Sequence, residues 1–142
     1  MKLAKSSDIR KIDAYAATTL NIPTRELMRR SGHAVASAVR ARVARGESVR
    51  IFAGAGNNGG DGYAAACELF PDYEVTLYDV LGEGQKGEDG RSFADAFLAL
   101  GGKILPFTGD PACVADAACL VDAVFGTGFH GELPEAAHTL AR

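Results

Sequence analysis

Five glycines fall within the nine residues Gly54–Gly62, GAGNNGGDG, directly behind the apolar run Val49-Arg50-Ile51-Phe52-Ala53. The apolar run reads as a buried strand. The stretch behind the glycines, Tyr63-Ala64-Ala65-Ala66-Cys67, reads as helix. A strand, a glycine-rich turn and a helix start make a device for holding anionic groups, because backbone N–H groups at a helix N-terminus point outward. The side chains set this loop apart. Asn57, Asn58 and Asp61 add amide and carboxylate oxygens where a plain phosphate loop carries backbone or a lysine.

The rest of the chain supplies the partners such a unit needs. A first helix is expected over 7–19, interrupted by Asn21-Ile22-Pro23, and a second from Thr24, which suits an N-cap. Met28, Gly32, Val35, Val39 and Val43 recur at helical spacing, so this second helix is amphipathic and should end near Gly46. From Val49 onward strands and helices alternate. Strands are expected at 49–53, 73–79, 103–106 and 119–124, and helices after the glycine loop up to Phe70-Pro71 and over 89–100, the latter with Phe93, Phe97 and Leu100 inward and Gly101 as its stop. A connector covers 82–87, a loop 125–133, and a last helix starts at Pro134.

This alternation predicts an α/β protein: a Rossmann-like three-layer α/β/α arrangement with a mainly parallel sheet, preceded by two helices. Right-handed crossovers give the strand order 3-2-1-4. The switch point then falls between strands one and four, where ligands bind outside the carboxyl ends of the strands. The glycine loop and the segment Asp122-AVFGTGFHGELP should therefore meet at one crevice. The 142 residues suit a single domain over 1–142. Hydrophobic residues at 47% and charged ones at 23% suit a packed core. A net charge of −3 argues against a nucleic-acid surface. Cys67, Cys113 and Cys119 form no CxxC pair and read as small buried hydrophobes in a reducing, cytoplasmic setting. No signal peptide, membrane span or zinc spacing is found.

Two readings of the site residues stay open at this level. Asp61, expected in the first helical turn, either complements the helix dipole or belongs to a binding site. Asp122, at the end of an apolar strand, either bonds to the amides of the glycine loop or, with Asn58 and backbone carbonyls, holds a hard cation. Gly54, Gly56 and Gly59 also match GxGxxG, and Asp79 ends the second strand about 20 residues on, where a ribose-binding acid stands in dehydrogenases. Asp61 beside a pyrophosphate and the bulk of Asn57 and Asn58 weigh against that alternative. Phe125-Gly126-Thr127-Gly128-Phe129 can wrap an anion with successive N–H groups, although Gly-x-Gly also serves ordinary turns. His130 in that loop, His33 and His138 on helix faces, and the arginines of the second helix are most simply surface residues.

Gly54-Ala55-Gly56-Asn57-Asn58-Gly59-Gly60-Asp61-Gly62 and Val121-Asp122-Ala123-Val124-Phe125-Gly126-Thr127-Gly128 resemble the two signatures of the NAD(P)H-hydrate epimerase family, the YjeF N-terminal type of domain. Asp13 and Leu27-Met28 with Gly32 are similar to its N-terminal helical pattern. The resemblance implies an isomerase that interconverts the R and S forms of hydrated NADH and NADPH, so that a partner ADP- or ATP-dependent dehydratase can restore the cofactor. It implies that Asn57, Asn58, Gly59, Gly60 and Asp61 line the hydrate site. Asn58 and Asp122 would bind a potassium ion, and Gly126, Thr127, Gly128, Phe129, His130, Gly131 and Glu132 would hold the dinucleotide. It also implies a homodimer. Asp122 is the candidate acid/base or electrostatic stabiliser. Family domains continue beyond the second signature with a segment resembling Asp-x-Pro-Ser-Gly, so the C-terminal part of the domain is expected to be missing from these 142 residues. The alternatives are a catalytically silent nucleotide-binding or assembly module of the same fold, and an NAD-dependent oxidoreductase.

Overall fold

The computed structural model describes residues 11–80 and 87–124, apart from 13 and 17. A first helix, α1, is seen at residues 11–12, 14–16 and 18. It is followed by α2 (Thr24–Arg40), β1 (Ser48–Ala53), α3 (Asn57–Leu69), β2 (Glu74–Asp79), α4 (Glu88–Ala99), β3 (Lys103–Pro106), a 3-10 turn (Pro111–Val114) and β4 (Cys119–Ala123). The four strands form one sheet in the order β3-β2-β1-β4, and all three pairings are parallel. This is the α/β architecture and strand order expected from the sequence. The connector up to Lys86, the loop from Phe125 and the helix expected at Pro134 lie outside the described residues.

Period-two side-chain alternation divides the sheet into two faces. Val49, Ile51 and Ala53 of β1 share one core with Val75 and Leu77 of β2, Met28, Ala36 and Val39 of α2, and the inner sides of α3 and α4. Tyr63 and Leu69 of α3 and Phe97 of α4 are fully buried there. Each such side chain contributes roughly 1.5–3 kcal/mol by leaving water. The opposite face carries a smaller cluster. Phe52 stacks on Tyr78 at 5.3 Å, and Phe107 meets both rings edge-on. Among the described residues, Cys113 and Val114 of the 3-10 turn cover this cluster.

Four local expectations are corrected. Pro23, not Thr24, caps α2, and Thr24 Oγ1 instead donates to Asp89 Oδ2 at 2.6 Å. The α2 helix ends at Arg40, well before Gly46, because Val43 turns inward against the core while its carbonyl accepts from Tyr73 Oη at 2.8 Å. Ala36, at 0% exposure, rather than Val35 is the buried residue at that turn of the helix. The expected stop of α4 is found. Gly101 has φ +97°, its amide donates to Leu98 and that of Gly102 to Phe97, the paired bonds of a left-handed helix cap. Leu100 is the residue at that cap and swings out to 52% exposure instead of facing inward.

The arginines of α2 are exposed, as expected, but they are engaged. Arg29 and Arg30 both donate to Glu26, and Arg25 lies 4.4 Å over the Phe93 ring. Among the described residues no helix is long and apolar enough to cross a membrane.

Two outcomes are expected. Phe97→Ala should lower unfolding free energy by about 3–5 kcal/mol in urea denaturation, the cost of an emptied aromatic site; an unchanged midpoint would contradict its place in the core. The Arg29 and then Arg30 hydrogen bonds hold the Glu26 carboxyl at about 2 instead of 4.5. Its stabilising contribution is therefore full above pH 4.5 and lost as pH falls from there toward 2. A carbon-13 titration of Glu26 should show that low midpoint, and Arg29→Met should move it upward.

Candidate functional site

The ends of β1 and β4 are adjacent, because Phe52 pairs with Asp122 and Ala53 with Ala123. The two signature loops leave the sheet from these neighbours. The Gly54 amide donates to the Ala123 carbonyl at 3.0 Å, and a Cβ on Gly54 would stand 2.0 Å from the Val124 carbonyl oxygen. No other residue type fits there. One turn later, a Cβ on Gly59 would stand 1.9 Å from the Gly54 carbonyl oxygen. Glycine at these two positions lets α3 begin directly on top of β1 and against β4. The loop glycines thus serve backbone approach between elements first, before any ligand.

The α3 helix starts at Asn57 with Gly56 as its cap. Asn57 and Asn58 occupy its first two positions, and Asn58 is half-buried. Gly59 and Gly60 are buried, and the Gly60 amide already donates to the Gly56 carbonyl at 3.1 Å, inside the helical ladder. Asp61 is the fifth helical residue, so it stands in the second turn rather than the first as expected.

Asp122 is exposed. Its side chain lies on the sheet face of its register partner Phe52, opposite the helices, and β4 is an edge strand among the described residues. Its Oδ1 accepts from the Val124 amide at 3.1 Å, an Asx-type turn that orients the carboxylate where the second loop departs. The alternative of a carboxylate bonded to the amides of the glycine loop is thereby replaced by a bond within its own loop. The strand end that carries Asp122 and the one that leads into α3 are thus adjacent, with Gly54 against Val124, and Asn58 is the second residue of that helix. Gly126 to Glu132 lie outside the described residues.

An amide and a carboxylate oxygen suit a hard cation rather than a transition metal. No group of three or more His, Cys, Asp or Glu side chains that could hold a metal is found among the described residues. Asp79, the ribose acid of the dehydrogenase alternative, is only 6% exposed. The three cysteines are free and half-buried, and burial pushes the Cys67 and Cys113 thiols up, away from nucleophilic thiolate.

One feature escaped sequence reasoning. A cavity of about 230 Å³ opens where α2, α3 and α4 begin. Ala14, Leu27 and Met28 give it an apolar floor. Thr24, Ser31, Asn57, Asp61 and Asp89 give it polar walls. Thr24 and Asp89 are 65 residues apart, and each reads locally as an ordinary helix-start residue, so no sequence signal joins them.

Residues 24–142 match the family described as YjeF-related protein N-terminus. The chain is 29% identical over 136 residues to an NAD(P)H-hydrate epimerase of Leuconostoc gelidum subsp. gasicomitatum, covering 95% of this chain and 59% of that protein. It is 36% identical over 124 residues to a bifunctional NAD(P)H-hydrate repair enzyme Nnr of Thermanaerovibrio acidaminovorans, covering 83% of this chain and 24% of that protein. The crystal structure of yeast ynu0 superposes with a TM-score of 0.82 at 23% identity, over 99% of this chain and 63% of that one, and so shares its fold. The chain thus spans about three-fifths of the length of the epimerase relative.

The glycine contacts generate a paired test. Gly59→Ala should destabilise the protein by at least about 1–3 kcal/mol, because its methyl group meets backbone. Gly56→Ala, with nothing within 4 Å of the new Cβ, should stay within about 0.5 kcal/mol. Equal thermal midpoints for the two variants would contradict the packing described.

Proposed function

The chain belongs to the YjeF-related protein N-terminus family, and we propose that it acts as an isomerase interconverting the R and S forms of hydrated NADH and NADPH. The observation that carries this reading is the contact between the two signature loops at the β1–β4 switch point, Gly54 against Val124, together with relatives named NAD(P)H-hydrate epimerase. Relatives that are named bifunctional repair enzymes support a functional link to an NAD(P)H-hydrate dehydratase. The three free cysteines suit a reducing compartment, the cytoplasm.

Epimerisation inverts the hydroxyl-bearing carbon of the reduced ring. The carbon–oxygen bond breaks and re-forms on the other face, or the ring opens and closes. Both routes need a proton moved on and off oxygen and a charged intermediate kept from escaping. In this reading Asn57 to Asp61 line the hydrate, and Gly126 to Glu132 hold the rest of the dinucleotide. Asp122 is the acid/base or electrostatic stabiliser. Its Val124 hydrogen bond fixes one oxygen of the carboxylate, which orients the other, and its exposure lets it exchange protons with solvent.

Asn58 and Asp122 are the residues that would hold a potassium ion. Such an ion supplies a fixed positive charge beside developing negative charge on oxygen. The oxygen-only donor set at the loop roots supports that choice.

Asp122→Ala should lower the rate of R/S interconversion, followed by chromatography of the two hydrates, by more than about a hundredfold. Replacing potassium by lithium should slow the wild-type protein. Undiminished turnover in the variant would remove Asp122 from the mechanism, and tighter binding of intact NADH than of its hydrate would overturn the assignment.

A further inference from the structure

The cavity at the start of α2, α3 and α4 adjoins the proposed hydrate site but involves residues that the signature motifs do not contain. It shares Asn57 and Asp61 with the glycine loop, which stand one helical turn apart on the same side of α3. The remaining walls come from α2 and α4.

Its chemistry selects what can enter. Among the described residues no lysine or arginine lines it, and two of its walls are the carboxylates Asp61 and Asp89. A phosphate or pyrophosphate brought between them would meet like charge at short range. The walls instead accept hydrogen bonds, so they suit a group rich in N–H and O–H donors. The floor suits a flat or puckered ring. Leu27 is half-buried and Met28 buried, and Met28 is seated where a Cβ on Gly60 would lie 2.4 Å from its Cε. A volume of about 230 Å³ falls below the roughly 300–1,000 Å³ of pockets that enclose a whole drug-sized ligand. It therefore has room for one end of a dinucleotide.

Resting on the epimerase reading, we propose that this cavity receives the carboxamide edge of the hydrated, uncharged ring, leaving the hydroxyl-bearing carbon outside it for Asp122, and that the Asp89 carboxylate accepts a hydrogen bond from the carboxamide N–H. Thr24 is a positioning residue. Its Oγ1 donates to Asp89 Oδ2 at 2.6 Å and so fixes the carboxylate of α4 from the first residue of α2. The phosphates then lie away from this cavity.

The test compares Asp89→Ala, Asp89→Asn and Thr24→Val in the intact protein. For the hydrate, Asp89→Ala should raise KM at least about tenfold with kcat little changed, the loss of a hydrogen bond to a charged group. Asp89→Asn keeps an acceptor oxygen and should recover most of that loss, and Thr24→Val should fall between. The Kd of ADP-ribose, which lacks the ring, should be the same in all four proteins. Parallel weakening of ADP-ribose and hydrate would mean structural damage alone and would overturn the proposal, as would an unchanged KM in Asp89→Ala. Calorimetric titration with the hydrate separates this inference from the reading beneath it. Binding through Asp89 without interconversion keeps the cavity assignment and sinks the epimerase activity. Interconversion with wild-type KM in Asp89→Ala does the reverse.

Discussion

The approach of backbone to backbone at Gly54 and Gly59 is the constraint on which the remainder of the molecule rests. Gly54 lies against the Val124 carbonyl and Gly59 against the Gly54 carbonyl, both closer than any side chain permits. These contacts set the angle at which α3 leaves the sheet. They also tie the end of β1 to the end of β4, with a hydrogen bond from Gly54 to Ala123. Gly62 continues the same contact, since its Cβ would lie 2.8 Å from that of Ala123. The pairing of the two loops is thus a packing result before it is a binding result.

From that anchor the layers follow. The α3 helix covers β1 and its neighbours, and α4 lies alongside with Phe93 and Phe97 in the shared core. Small residues recur wherever α2 meets α3. A Cβ on Gly32 would stand 2.5 Å from that of Ala64, and Ala36 is fully buried. The alanine-rich stretch of α3 gives up side-chain bulk so that helix axes can come close, which is how a helix with modest apolar content still buries most of its length.

Sequence reasoning reached the strands, their order and the left-handed stop at Gly101, because these rest on local periodicity and on turn chemistry that a few residues encode. It placed the glycine loop and the Asp122 segment at neighbouring strand ends, and the register of β1 with β4 brings those ends together, whereas Asn58, read as a loop residue, is the second residue of α3. It did not reach the end of α2, where Val43 is drawn away by the core and by Tyr73. Nor did it separate Val35 from Ala36, since both satisfy a helical repeat. The exposure of Asp122 followed from which face of β4 it occupies, a matter of register rather than of composition. The Thr24–Asp89 bond joins residues that have no sequence relation at all.

The α2 helix packs chiefly on α3, with a lesser seam along α4, and takes little direct support from the strands. Its grip on α4 is concentrated at one end, in the Thr24–Asp89 bond and in Arg25, which covers the Phe93 ring and donates to Ser92 at 3.2 Å. The polar fasteners at the start of α2 therefore hold its angle against α4, while its buried face on α3 carries the packing.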